Sequence, residues 1–297
     1  MKFYMPESGC LLSPAKINLH LQITGVLPDG KHGLDTSFAF VDVYDRLHIS
    51  LSHEISVQCS VGSLSGEKNL VFQVLLALQK KYHVQHGLSV SIEKTLPAEA
   101  GLGGGSSDAA TALLAANVLW DLHLTTEVLI EFATPWGADI PCFLFGKASV
   151  AKGVGEKLRD YPEALPDGYL CLARPCEGLS TAAVFRHFDE SIELMLTRQN
   201  DNAKVRPASQ GCVPIGWNDL EGSATALLPM ISSVLSLMKS CSKQAWMSGS
   251  GSTCIGLCSS KFEAEQLALN LHDEGLASWT HVGKLLKKHP SFISIGA

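Results

Sequence analysis

Four of the five residues from 101 to 105 are glycine, in the stretch Pro97-Ala98-Glu99-Ala100-Gly101-Leu102-Gly103-Gly104-Gly105-Ser106-Ser107-Asp108. Its flanks limit what it can be. The alternation Leu88-Val90-Ile92 ahead of it predicts a strand, and the run AATALLAANVLW behind it is built of strong helix formers, so the glycines occupy a strand-to-helix junction. Glycines let successive backbone N–H groups converge without Cβ interference, and the helix N-terminus adds favourable potential for an anion. The hydroxyls of Ser106 and Ser107 can add donors or reach a Mg²⁺. A dinucleotide-binding G-x-G-x-x-G pattern requires Gly at 106, where this chain has Ser, and a Walker A loop requires a Lys after Gly105, where none follows. A phosphate cradle of another kind, or a plain flexible turn, remains.

The net charge of −6 gives no long-range attraction for nucleic acid or an anionic membrane, so a phosphate-bearing ligand has to be held by local donors. With 46% hydrophobic and 18% charged residues the chain belongs with ordinary globular proteins, and 297 residues suit two domains with a cleft between them. The nine cysteines show no C-x-x-C pair and are expected as buried free thiols, without a zinc site or a disulfide framework. No stretch approaches the ~20 apolar residues that span a bilayer, and MKFYMPESG lacks the apolar core of a signal peptide. A cytoplasmic protein is expected.

From Ile17 to Ile23 apolar and polar residues alternate, which predicts a half-buried strand with Lys16, Asn18, His20 and Gln22 on its polar face. The same period returns at Leu47–Leu51, Ile55–Val61 and Leu88–Ile92, giving an antiparallel or mixed sheet with one open face. Helical spacing over Leu70–Tyr82 starts after Asn69, a plausible N-cap, and a helix near Thr126–Thr134 must end before Pro135. Two prolines bracket WGADIP, which reads as a tight connection fixing Asp139. The Gly-, Pro- and charge-rich KGVGEKLRDYPEALPDG predicts a domain boundary. Beyond it, strands are expected at Tyr169–Ala173 and Thr253–Leu257, helices at Ala224–Met238 and Lys261–His272, and a loop over 195–215.

GLGGGSSDAATALLAAN resembles the second motif of the GHMP kinases, the superfamily of galactokinase, homoserine kinase, mevalonate kinase and phosphomevalonate kinase. SPAKINLHLQITG, DGKHGLDTSFAFVDVYD, GADIPCFLFG and MSGSGSTCIGLC, in that order, are similar to the branch whose acceptor alcohol carries a cytidine diphosphate. The resemblance runs nearly end to end. It implies a two-domain α+β GHMP kinase fold, 1–152 ribosomal-protein-like and 153–297 ferredoxin-like, with the active site between them. It further implies ATP and Mg²⁺ as cofactors, no protein ligand being assigned to the metal, and phosphorylation of the 2-hydroxyl of a cytidine-diphosphate-bearing methylerythritol on the non-mevalonate route to isoprenoids.

The resemblance also carries residue roles. Lys16 and Asp139 match the catalytic pair. Asn69 and the run Pro97, Ala98, Glu99, Ala100, Gly101, Leu102, Gly103, Gly104, Gly105, Ser106 and Ser107 match the nucleotide site. Asn18, His32, Thr181, Phe185, Gly249, Ser250 and Gly251 match the acceptor site, with His32 on the cytosine and Phe185 stacked upon it. Lys31 stands where many relatives have Tyr. The implied partner is this small molecule alone, with no nucleic acid or membrane, and the chain is expected as a monomer or weak homodimer. The rival readings are a GHMP kinase for a smaller alcohol, a non-catalytic nucleotide-binding protein, and a dinucleotide-dependent oxidoreductase. The first needs neither His32 nor an aromatic clamp; the second tolerates loss of Lys16 and Asp139.

Overall fold

The computed structural model describes residues 2–28, 30–198 and 213–293. Two long alternating segments, Cys10–Val26 and His32–Ser52, pair antiparallel and form the spine of the larger sheet. Gly87–Glu93 and Ser149–Gly153 pair with His32–Ser52 in turn. The parallel strand Ser56–Cys59 and the antiparallel strand Lys157–Asp160 form the outer edges of that path, so the sheet is mixed. The strand Ser149–Gly153 runs through the expected 152/153 junction. Helices Leu70–Lys81, Gly104–Leu119, Thr126–Ala133 and Ile140–Phe145 pack on this sheet and enclose a core that includes Leu75, Leu78, Leu113, Phe40 and Phe143.

A second, fully antiparallel sheet has the order Trp279–Gly283, Tyr169–Arg174, Cys254–Cys258, Gln244–Met247. Helices Met230–Cys241 and Lys261–Asp273 bury Val234, Met238, Leu267 and Leu271 against it. A third apolar cluster joins the two halves: Ile17 and Leu19 meet Leu170, Leu172, Trp246 and Ile255. The chain then returns to its first half. Leu285–Leu286 pair with Phe40 and Val41, His289 N–H donates to the Gly146 carbonyl at 2.9 Å, and Phe292–Ile293 pair with Lys2–Phe3.

Several expectations change. The polar face of the first long strand is not solvated: Lys16 and Asn18 are 3% exposed, and His20 and Gln22 are buried as well. The open sheet face survives farther along, where Arg46, His48 and Ser50 are exposed and alternate with the buried Leu47 and Ile49. The expected helix 224–238 is two, Glu221–Leu227 and Met230–Cys241, because Pro229 lacks the N–H that an unbroken helix needs. Helix Thr181–Arg198 extends into the expected loop 195–215, whose residues 199–212 lie outside the described residues. Cys142, Cys171, Cys254 and Cys258 are buried free thiols, whereas Cys176 and Cys241 are exposed; Cys212 is outside the described residues. Among the described residues no helix is long and apolar enough to cross a membrane.

Candidate active site

The glycine-rich junction divides in two. Gly101–Gly103 is loop, with Gly101 and Gly103 at φ +73° and +69°, and the helix already begins at Gly104. A Cβ on Gly101 would stand 2.4 Å from the Ser248 carbonyl oxygen, and one on Gly103 would meet Lys16 Cγ and the Phe143 ring at 3.1 Å. At Gly101 backbone therefore passes against backbone, and at Gly103 against packed side chains, which glycine in this left-handed conformation allows.

The outer edge of strand Cys10–Val26 receives both glycine loops. Lys16 N–H donates to the Leu102 carbonyl at 3.0 Å, and Asn18 N–H donates to Ser248 Oγ at 3.2 Å. Ser248 Oγ–H in turn donates to the Gly101 carbonyl at 3.1 Å. Lower on the same edge, Leu21 N–H donates to the Trp217 carbonyl, and Leu21 bridges Asn218 in parallel. Asn218 uses its whole carboxamide: Nδ2 donates to the carbonyls of Met247 at 2.9 Å and Gly249 at 2.8 Å, and Oδ1 accepts from Leu220 N–H at 2.9 Å.

Between these loops lies a cavity of about 540 Å³. Lys16 Nζ stands 3.3 Å from Asp139 Oδ2 in its wall and donates to Asn18 Oδ1 at 2.8 Å. The Phe38 ring lies beneath the ammonium at 5.4 Å. Asp139 occupies the N-cap position of helix Ile140–Phe145, with Pro141 in the first turn, yet its side chain caps nothing and is free to face the cavity. WGADIP is thus a connection that ends in a helix start.

Of the expected nucleotide residues, Pro97 to Ala100, Gly101 and Gly103 to Ser106 line the cavity. The Leu102 side chain is in the core. Ser107 is fully buried; its hydroxyl donates to the Pro14 carbonyl at 2.7 Å and accepts from Ser13 at 2.8 Å, so it faces away from the cavity. Asn69 is the N-cap that its sequence position indicated, accepting from Val71 N–H at 2.8 Å, and its Nδ2 is given to the Leu64 carbonyl. Its neighbours Leu64 and Leu70 line the cavity; Asn69 does not.

Of the expected acceptor residues, Asn18, Thr181, Phe185, Gly249 and Ser250 line the cavity, and the Thr181 and Ser250 hydroxyls are hydrogen-bonded at 2.8 Å. Gly251 lies behind them, where a Cβ would meet Met247 Sδ at 2.9 Å. His32 sits at the rim outside the lining. Its ring contacts that of Phe185 at 4.8 Å, and its Nε2 is 2.7 Å from Asp189 Oδ1.

Sequence reasoning missed Thr36, Lys94 and Asn218. Lys94 lines the cavity below Gly104 and forms an ion triad with Asp45 and Asp108, 2.8 Å from Asp108 Oδ2. Asp45 also accepts from the Thr95 and Leu96 N–H groups. Burial works against the Lys94 charge, but the two carboxylates outweigh it and its pKa is raised. Burial likewise pushes Asp108 up to about 6, against the pull of Lys94. The helical face of Asp108 and its place after Ser107 were visible in sequence; the other members of its triad, Lys94 and Asp45, 14 and 63 residues away, were not.

The family "GHMP kinases N terminal domain" matches residues 69–147 and "GHMP kinases C terminal" matches 192–276. The chain is 38% identical over 273 residues to the 4-diphosphocytidyl-2-C-methyl-D-erythritol kinase of Desulfitobacterium hafniense, covering 90% of this chain and 93% of that one. It is 37% identical over 290 residues to the protein of the same name from Cupriavidus metallidurans, covering 96% and 95%. A crystal structure of 4-(cytidine 5'-diphospho)-2C-methyl-D-erythritol kinase superposes with a TM-score of 0.73 at 32% identity, over 93% of this chain and 98% of that one. Homoserine kinase from Cytophaga hutchinsonii shares the fold at 16% identity, with a TM-score of 0.65. The chain belongs to the GHMP kinases and, within them, to the family of 4-diphosphocytidyl-2-C-methyl-D-erythritol kinases.

Proposed function

We propose that the protein transfers the γ-phosphoryl of ATP to the 2-hydroxyl of 4-diphosphocytidyl-2-C-methyl-D-erythritol, a step of the non-mevalonate route to isoprenoid precursors. The observation that carries this reading is the Lys16–Asp139 pair, 3.3 Å apart in a cavity walled by two glycine loops. Phosphoryl transfer asks the protein mainly to position reactants and stabilise charge. The acceptor oxygen forms the new bond to the γ-phosphorus as the bond to the β–γ bridging oxygen breaks, releasing ADP. Asp139 is the group to receive the hydroxyl proton, and Lys16 the cation beside the developing charge. The amides of Gly103–Ser106, at the N-terminus of a 16-residue helix, suit the phosphates.

Among the described residues no cluster of three or more His, Cys, Asp or Glu is placed to hold a metal. A Mg²⁺ would be held chiefly through the ATP phosphates, with the Ser106 hydroxyl in the cavity wall available to it. When bound, the ion neutralises phosphate charge. Thr181, Phe185, Gly249 and Ser250 form the acceptor end, and His32 with Phe185 the cytidine end. We keep the division into units 1–152 and 153–297, a cytoplasmic location and a monomer or weak homodimer as parts of the same proposal; the two separate sheets support two units, with Lys157–Asp160 and Leu285–Leu286 crossing over to the first sheet.

The test is ADP release measured with the cytidyl acceptor against a panel of alcohols without cytidine. Turnover confined to the cytidyl compound is expected. Equal turnover with a small alcohol would replace the acceptor assignment, and no ADP release with any alcohol would remove the kinase reading.

A further inference from the structure

We infer that Thr36 is a positioning residue for Lys16, acting through Asn18. The inference rests on the kinase reading above and deepens it. Lys16 carries only donors, so the Asn18 atom 2.8 Å from Nζ is the carboxamide oxygen. That orientation turns the Asn18 NH₂ to Thr36 Oγ1, which accepts at 2.9 Å. The hydroxyl has one proton of its own, and it goes to the His20 carbonyl at 2.5 Å. The chain Lys16, Asn18, Thr36, His20 carbonyl therefore has one direction. Turning the amide over would set donor against donor at Lys16.

The strand geometry explains why Thr36 is in reach. Asn18 pairs with Phe38, so Thr36, two residues from Phe38, lies on the same sheet face, and a register shift between Asn18 and His20 brings the His20 carbonyl to its hydroxyl. Thr36 is 0% exposed and Asn18 3%. Water is a poor substitute partner at such a place, and a buried donor without an acceptor is costly. The methyl-for-hydroxyl change Thr36→Val keeps the volume and removes the acceptor. The Asn18 NH₂ then has no acceptor and the carboxamide is held by Lys16 alone, so the ammonium loses the fixed anchor that keeps it between Asn18 and Asp139.

Steady-state kinetics of the wild type, Thr36→Val, Thr36→Ser, Asn18→Ala and the Thr36→Val/Asn18→Ala double variant test the idea. Thr36→Val is expected to lower kcat about 10-fold or more, the scale of a small misplacement of a catalytic group, with the KM for ATP unchanged. Thr36→Ser should restore most of the loss. In the Asn18→Ala background Thr36→Val should change kcat less than about 2-fold, since a residue acting only through Asn18 has nothing left to act on.

A second readout does not depend on activity. The side-chain amide protons of Asn18, followed by ¹H–¹⁵N spectroscopy, should show one proton protected from exchange in the wild type and in Thr36→Ser, and neither protected in Thr36→Val. Equal effects of Thr36→Val in both backgrounds would overturn the inference, as would failure of Thr36→Ser to rescue, or Asn18 amide signals that ignore Thr36→Val. A thermal midpoint lowered by Thr36→Val with kcat per folded molecule intact would do the same. If no alcohol were turned over, the kinase reading would fall and the amide measurement alone would decide the Thr36–Asn18 link.

Discussion

Replacing glycines 101 and 105 by alanine, one at a time, should give opposite results although the two lie four residues apart in one motif. At Gly101 the backbone is left-handed, φ +73°, and a Cβ would stand 2.4 Å from the Ser248 carbonyl oxygen and 3.0 Å from that of Gly251. The left-handed conformation alone costs an alanine about 1–2 kcal/mol. Relieving the contact requires the two loops to part by about 1 Å, which strains the Ser248-to-Gly101 and Thr253-to-Ala100 hydrogen bonds. At ~1 kcal/mol for each bond, Gly101→Ala should lose about 3–4 kcal/mol in all. At Gly105 the residue is helical and nothing lies within 4 Å of the added Cβ, so the fold should gain up to ~1 kcal/mol from the better helix former. Its methyl, however, stands on the cavity wall beside the amides assigned to phosphate. Urea denaturation and the KM for ATP separate the two effects: Gly101→Ala unfolds earlier, and Gly105→Ala keeps its stability while the KM for ATP rises about 10-fold or more. Equal stability of both variants would refute the packing argument. An unchanged KM in Gly105→Ala would refute the placing of phosphate at this helix end.

Asp139→Asn should lower kcat by about 10²-fold or more, the usual weight of a positioned acid–base group, with ATP binding by calorimetry little changed. Lys94→Met leaves the buried carboxylates of Asp45 and Asp108 without their cation and should cost about 3–5 kcal/mol in urea denaturation, unless Asp45→Asn and Asp108→Asn accompany it. His289 is fully buried, and burial lowers its pKa to about 3 from 6.5. Its Nδ1 accepts from Ser291 N–H, which leaves the proton on Nε2, facing Thr111. Because the folded value lies below the unfolded one, the unfolded chain binds the extra proton. The loss of stability therefore begins as pH falls through 6.5, reaches about 2 kcal/mol at pH 5 and levels off below pH 3. Thermal melts of the wild type and His289→Phe between pH 7 and 5 check this, and parallel slopes for the two proteins would exclude His289 as the source.

The legible parts of the fold were those that local chemistry decides. Asn69 capped the helix it was expected to cap, and the alternation from Ile17 to Ile23 produced a strand. What the alternation could not convey was that the strand's polar face would be buried. Polar residues at every second position mark a solvated face and a buried catalytic face alike, and only the loops laid against the edge by Leu102 and Ser248 distinguish them. The same holds for single residues. Lys16, Asp139 and the glycines sat in motifs whose resemblance named them, whereas Thr36, Lys94 and Asn218 show their use only through partners far off in sequence, such as Met247 and Gly249 for Asn218. Ser107 is the opposite case. Its place in the motif suggested a ligand contact, and the helix turns its hydroxyl into the core.

The return of residues 285–293 to the first sheet bears on how the protein is made. Leu285 and Leu286 add to Val41 and Phe40, His289 fills the space beside Phe40, and Phe292 packs against Phe3. The half that leaves the ribosome first therefore stays unsealed until residues 285–293 have been synthesised, a wait of roughly 7–30 s from residue 152 at ordinary rates of elongation. During that interval part of its core is open, and a stalled or truncated chain exposes it for good. The hazard to the nascent chain thus sits in its earlier-made half, while the remedy lies in residues 285–293.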